Sequence, residues 1–284
     1  MAEDDTPRPR PSGGDQALQD LRVGREQSAT PEILAPRRTP RPTLLYPKVS
    51  VIVPALNEAE NLRAVLPKIP HGTYEVILVD GRSTDSSVAV AKEVLPTVSV
   101  VTQDGRGKGD AMRRGFSEAT GDVVVMLDCD GSADPAEIPF FVGALLAGAD
   151  LAKGTRFAQG GGSIDISPLR RLGNWGLTWL TRVLFRSRCT DLCYGYNAFW
   201  RDILPLIDLD ADGFEIETQL NLRALRTGLR VVEVPSFESR RLFGDSHLAT
   251  WGDGWRVLKT LIRERLVKDS AIAECPAMSS EATW

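Results

Sequence analysis

Val49-Ser50-Val51-Ile52-Val53-Pro54 leads through Ala55-Leu56-Asn57-Glu58 into Ala59-Glu60-Asn61-Leu62-Arg63-Ala64-Val65-Leu66. The opening run is rich in β-branched residues and ends on a proline, so it reads as a strand. From 57 to 66 the period changes, and Leu62, Val65 and Leu66 share one face of a helix. A strand followed by a helix is the repeating unit of a parallel sheet.

The same unit recurs outward. Residues 74–79, 98–102 and 123–127 read as strands, and 150–153 begins another. Residues 85–93, 108–119 and 135–146 read as helices between them, with a further helix at 214–226. This alternation predicts an α/β fold with a Rossmann-like, mostly parallel sheet flanked by helices. At 284 residues the chain can hold one large domain of this kind. Residues 1–47 are rich in Pro, Arg and Asp and carry no aromatic before Tyr46, so they are expected to be a disordered tail. The folded domain is expected over 48–248, an amphipathic helix over 249–269, and a second flexible tail over 270–284.

Several classes fall away. The net charge is -4, so the chain as a whole is not built to bind nucleic acid. No apolar run approaches the ~20 residues of a membrane span. The acidic, polar N-terminus is not a signal peptide. Cys129, Cys189, Cys193 and Cys275 form no CxxC pair and no zinc pattern, which points to a reduced, cytoplasmic setting.

In open parallel sheets, ligands bind beyond the carboxyl ends of the strands. Asn57 and Glu58 follow the first strand, Asp80 ends the second, Arg106 to Asp110 follow the third, and Asp128 to Ser132 follow the fourth. Asp128 and Asp130 are two apart, so in extended chain their carboxylates share a face. Two hard oxygen ligands suit Mg²⁺ or Mn²⁺. The same pair is also what a turn capping the helix at Pro135 would use. Asp80 either bonds a base or ribose or caps a helix, and the cap suits Asp85 or Ser83 better. Arg106-Gly107-Lys108-Gly109 places flexible backbone and cations before a helix N-terminus, either as a phosphate environment or as a solvated loop.

Read together, these stretches resemble the family 2 glycosyltransferases of the GT-A fold. The resemblance is carried, in order, by residues 51–58, 77–80, Gly107-Lys108-Gly109, Asp128-Cys129-Asp130, Gly154-Thr155-Arg156-Phe157, residues 191–199, Phe214-Glu215-Ile216-Glu217, Val232-Glu233-Val234-Pro235 and residues 241–246. Within that family the chain is most similar to polyprenyl-phosphate sugar transferases of the dolichol-phosphate mannose synthase type. The resemblance implies that Pro54, Asn57, Glu58 and Lys108 line a nucleotide-sugar pocket and that Asp80 meets the base or ribose. It implies that Asp128 and Asp130 hold the metal through a UDP or GDP diphosphate. Arg156 and Arg170 match arginines that hold an acceptor lipid's phosphate, Arg241 matches one in a loop closing over the donor, and Glu217 lies near the acceptor. Three positions depart from the pattern: Gly81 replaces a second acid, Ser132 replaces a Gln, and His247 replaces a Lys.

The acceptor sets the mechanism. A polyprenyl phosphate is already an oxyanion and needs cations to hold it. A hydroxyl of a saccharide or small metabolite needs a base, for which Glu217 and Asp191 are candidates. Either route inverts the anomeric centre. Arg156, Arg170, Arg171, Arg182, Arg186 and Arg188 lie in one stretch, interleaved with Trp175, Trp179, Leu180, Val183, Leu184 and Phe185. That mixture suits a peripheral membrane surface and a lipid phosphate, or a core helix with a solvated basic face. Trp251, Trp255, Leu258, Leu261, Ile262 and Leu266 recur at helical spacing, which suits a membrane surface or packing on the domain.

Overall fold

The computed structural model describes residues 46–244 and 250–267, with the side chains of Thr250 and Trp251 excepted. The strands are β1 (Val49–Ala55), β2 (Glu75–Asp80), β3 (Ser99–Thr102), β4 (Val123–Met126), β5 (Leu151–Thr155), β6 (Gly162–Ser163), β7 (Asn197–Trp200), β8 (Val231–Pro235) and β9 (Phe237–Glu238). The main helices are α1 (Ala59–Val65), α2 (Ser87–Val94), α3 (Lys108–Glu118), α4 (Ile138–Leu146), α5 (Pro168–Phe185), α6 (Glu215–Arg226) and α7 (Thr250–Leu266). Seven strands form one sheet in the order β3-β2-β1-β4-β7-β5-β8, and β6 pairs with β9 in a small parallel ribbon.

The quoted stretch lies at the centre of this sheet. Val51, Ile52 and Val53 of β1 are completely buried, because β1 is covered on both faces and paired on both edges. A strand in that position accepts β-branched residues at every position. Val51 stands opposite Val76 of β2 and Val125 of β4, all in parallel register. Gly115 allows α3 to lie against the sheet, since a Cβ there would meet Ile52 Cγ2 at 2.3 Å.

The α/β architecture follows the expectation, and element ends differ from it by up to three residues. Four strands, β6, β7, β8 and β9, go beyond it. β7 runs antiparallel between β4 and β5, with Asn197 opposite both Met126 and Lys153. The helix expected at 135–146 opens with a 3-10 turn over Pro135–Glu137, capped by the Asp134 side chain, which accepts from Ala136 N at 3.0 Å. Asp134 thus fills the capping role that was open to Asp128 and Asp130.

The C-terminal amphipathic helix is present as α7, and its apolar seam packs on the domain. Val257 and Leu261 form a second small core with Leu192 and Leu222. Buried Glu264 ties α7 to α6 by accepting from Arg223 Nε at 2.9 Å and Arg226 Nη1 at 2.8 Å. α5 is capped by Ser167, carries Pro168 at its first position and ends at Arg186 in the left-handed region. Its buried residues are polar: Asn174, Thr178 and Thr181, at i, i+4 and i+7. Its outward residues include Leu172, Trp175, Trp179 and Val183. Arg171 and Arg182 are exposed as well, while Leu177, Leu180, Leu184 and Phe185 pack against the second small core. No described helix is long and apolar enough to cross a membrane. The expected tails, apart from Tyr46 and Pro47, and His247 lie outside the described residues.

Candidate active site

A cleft of about 450 Å³ opens beyond the carboxyl ends of β1 and β4. Pro54 and Glu58 line it from the β1 exit, Lys108 from the start of α3, and Asp128, Asp130 and Ser132 from the β4 exit. Arg156, Arg170, Asn174, Tyr194, Glu217, Glu238 and Arg241 line the remainder. Strand ends supply the first group because alternating connections bring every parallel strand to the same edge of the sheet.

Each of the two acidic residues faces a cation. Lys108 Nζ is 2.6 Å from Asp128 Oδ1 and also pairs with Glu217 Oε1. Arg241 Nη1 is 3.5 Å from Asp130 Oδ2, and its Nη2 pairs with Glu58 Oε1. Asp130 Oδ1 also accepts from Ser132 N at 2.9 Å, which holds the turn. Burial alone would lower the Lys108 pKa, yet Asp128 and Glu217 outweigh it and keep the ammonium charged. Burial raises the Glu217 carboxyl, as does Asp128, while Lys108 works in the opposite direction.

The acidic pair fits a divalent cation of one kind. Among the described residues no group of three or more His, Cys, Asp or Glu is arranged to hold a metal. Asp128 and Asp130 offer hard oxygens to one cleft, with half-buried side chains. Two carboxylates match an ion that takes its other ligands from phosphate and water, as Mg²⁺ commonly does.

The glycines before α3 do something other than cradle a phosphate. Gly109 N donates to Asp212 O at 2.7 Å, and Asp110 N donates to the same oxygen at 3.3 Å. A Cβ at Gly109 would meet Ala211 O at 2.2 Å, and one at Gly107 (φ 91°) would meet Asp212 O at 2.4 Å. The helix N-terminus is therefore closed by the 211–213 backbone, and what this loop gives the cleft is the Lys108 side chain.

At the other end, Arg156 is locked. Its Nε donates to Asp191 Oδ2 at 2.7 Å, Nη2 to Asp191 Oδ1 at 2.9 Å, and Nη1 to Glu238 at 3.0 Å. Asn174 Nδ2 adds a bond to Asp191 Oδ1 at 2.9 Å. Burial pushes the Asp191 carboxyl up, but Arg156 outweighs it and holds the carboxyl below its usual range. A fully buried, saturated carboxylate cannot collect a proton, so Asp191 is not placed as a base. Arg170 is less committed, with Nη1 3.8 Å from Asp165 Oδ2.

Asp80 and Asn57, which the resemblance places at the nucleotide, do not line the cleft, and neither does Asp191. Asp80 accepts from Ser83 N at 3.1 Å and closes the turn after β2. Asn57, at φ 56°, accepts from Thr84 N at 2.8 Å and ties the β1 exit to the β2 exit. Asp85 accepts from Ser87 N at 2.9 Å and from Ala59 N at 3.2 Å, at the starts of α2 and α1. Glu238 and Asn174 gave no separate signal as partners of the arginine wall, although Asn174-Thr178-Thr181 is a readable polar stripe.

Comparison with known proteins shows the family. The model of glycosyl transferase family 2 matches residues 50–205. The chain is 34% identical over 231 residues to the polyprenol monophosphomannose synthase of Mycolicibacterium smegmatis, covering 74% of this chain and 83% of that protein. It is 32% identical over 218 residues to the undecaprenyl-phosphate mannosyltransferase of Micrococcus luteus, covering 71% and 88%. It is 31% identical over 210 residues to the dolichol-phosphate mannosyltransferase of Pyrococcus furiosus, covering 71% of this chain but only 59% of that protein. Glucosyl-3-phosphoglycerate synthase from Mycobacterium tuberculosis, solved with Mn²⁺, UDP and glucosyl-3-phosphoglycerate, shares the fold at a TM-score of 0.63 and 24% identity, covering 82% and 88%. On the family match and these identities, the chain belongs to the family 2 glycosyltransferases, with the GT-A fold.

Proposed function

We propose that this glycosyltransferase moves a sugar from a UDP or GDP donor to a polyprenyl phosphate, with inversion, at the surface of a membrane. One observation carries the reading: a single cleft joins the acidic pair, with Lys108 and Arg241 on it, to Arg170 on α5. A bound Mg²⁺ or Mn²⁺, held by Asp128 and Asp130, would neutralise charge on the departing diphosphate. Lys108 and Arg241, which lie beside those carboxylates, would supply cations for the diphosphate oxygens. Pro54 and Glu58 border the nucleotide, with Asn57 and Asp80 shaping the loops beside it. Arg170 draws the acceptor phosphate in line, and Arg156 braces the wall from which it acts. Outward Trp175 and Trp179, with Arg171, Arg182, Arg186 and Arg188 nearby in sequence, suit the headgroup layer of a membrane. The relatives named for polyprenyl-phosphate mannosyl transfer support the acceptor class.

A second reading is a soluble transferase acting on a hydroxyl. It is favoured by Glu217, which lines the cleft and whose carboxyl burial raises toward the range of a general base. Transfer assays of Arg170→Ala separate the two. On the lipid reading the variant loses transfer to polyprenyl phosphate by about 100-fold or more and still binds nucleotide with Mn²⁺. Undiminished lipid transfer rejects that reading.

A further inference from the structure

Asn61 lies on α1, one turn beyond Glu58, and is only 2% exposed. Its amide reaches across to the segment after β9. Asn61 Nδ2 donates to Phe243 O at 3.1 Å, and Asn61 Oδ1 accepts from Phe243 N at 3.0 Å. One side chain thus bonds both backbone groups of a single residue, as a neighbouring strand would. Only one orientation of the amide satisfies both bonds. The second Nδ2 hydrogen goes to Glu58 Oε2, and Glu58 Oε1 pairs with Arg241.

The segment so held runs along the acidic turn. Ser239 N donates to Ser132 O at 2.8 Å, and Leu242 N donates to Asp130 O at 3.0 Å. Leu242 sits on Gly131 so closely that a Cβ there would meet its Cγ at 2.7 Å. Arg241 Nε folds back on Phe243 O at 2.7 Å, which leaves Nη1 beside Asp130. A buried amide is tolerated only when its bonds are made. The bonds of the Asn61 amide go to this segment and to the carboxylate that pairs with Arg241, rather than to the backbone of α1.

We propose that Asn61 is a positioning residue: it latches the 239–244 segment to α1 and thereby fixes Arg241 over the acidic turn. The assignment rests on the proposed donor site for its effect on nucleotide binding, but not for the latch itself. Two measurements separate them. In the ligand-free protein, Asn61→Ala should speed hydrogen exchange at the Phe243 amide by about tenfold or more while exchange in β1 and β4 is unchanged. Unchanged exchange at Phe243 overturns the latch. With Mn²⁺ and UDP or GDP, whichever the wild type binds, Asn61→Ala should weaken binding about tenfold, and in an Arg241→Ala background it should add nothing further. An equal loss in both backgrounds overturns the action through Arg241. A wild type that binds neither nucleotide refutes the donor site and leaves the exchange result to decide the latch. Asn61→Ser, too short to bridge both backbone groups, gives the same exchange readout if the alanine variant folds poorly.

Discussion

Lys108 Nζ joins Asp128, 2.6 Å away, to Glu217 on a different helix. If Asp128 holds the ion as proposed, this ammonium occupies the same carboxylate and a metal alone would have to compete with it. Lys108→Met should tighten binding of Mn²⁺ by itself by about tenfold, roughly 1.4 kcal/mol. The same change should weaken binding of the metal–nucleotide complex by a similar factor, because a cation for the diphosphate is gone. Calorimetric titration with Mn²⁺, with and without UDP or GDP, reads both signs. Unchanged affinity for Mn²⁺ alone would remove the competition from the account.

Arg156 and Asp191 form a buried pair with two parallel bonds, and removing one partner strands the other's charge. Asp191→Asn should cost about 3–5 kcal/mol of stability in denaturant unfolding. The sign with pH follows from a carboxyl held below its usual range. The contribution is present above roughly pH 4 and is lost as pH falls through the folded value. The variant should therefore show a flatter acid limb than the wild type.

Glu217→Gln distinguishes the acceptors. With a phosphate acceptor no proton is removed, and transfer should stay within about tenfold of wild type. With a hydroxyl acceptor the rate should fall by about 10²–10⁴. Single-turnover rates with each acceptor class decide between them.

Trp175 and Trp179 are 66% and 55% exposed on the outward face of α5. Replacing both by alanine should reduce cosedimentation with anionic lipid vesicles by at least about tenfold while nucleotide binding is preserved. Equal sedimentation of variant and wild type would mean that this face does not meet lipid.

The central strands were readable because burial on both faces writes unbroken β-branched runs, as in Val51-Ile52-Val53. β7 was not, because Asn197-Ala198-Phe199-Trp200 is short and composition does not encode strand direction. The acidic pair stood out by its spacing, but spacing alone left it open between a cation site and a helix cap. The role of Arg156 was not, since Asp191 and Glu238 lie far along the chain and no local pattern announces them. Gly107 and Gly109 were ambiguous for a physical reason: a phosphate loop and a tight backbone crossing both require residues without side chains. The polar stripe on α5 was legible in its period, but the tryptophans between its members favour either face until packing is known.

β7 enters the sheet from the side opposite to its neighbours. The parallel strands deliver residues to the cleft as the chain leaves the sheet, whereas Asp191 to Tyr196 arrive there just before the chain enters it. The cleft is therefore assembled from separate stretches, one ending near Ala133, one running from Arg156 to Tyr196, and later ones that supply Glu217, Glu238 and Arg241. Residues 156–196 form an excursion that departs from and returns to the same edge of the framework. Such an excursion can be exchanged or lengthened without altering the register of β1, β2 or β4. Evolution can thus alter what this part of the cleft recognises while the part built on β1 and β4 is inherited intact.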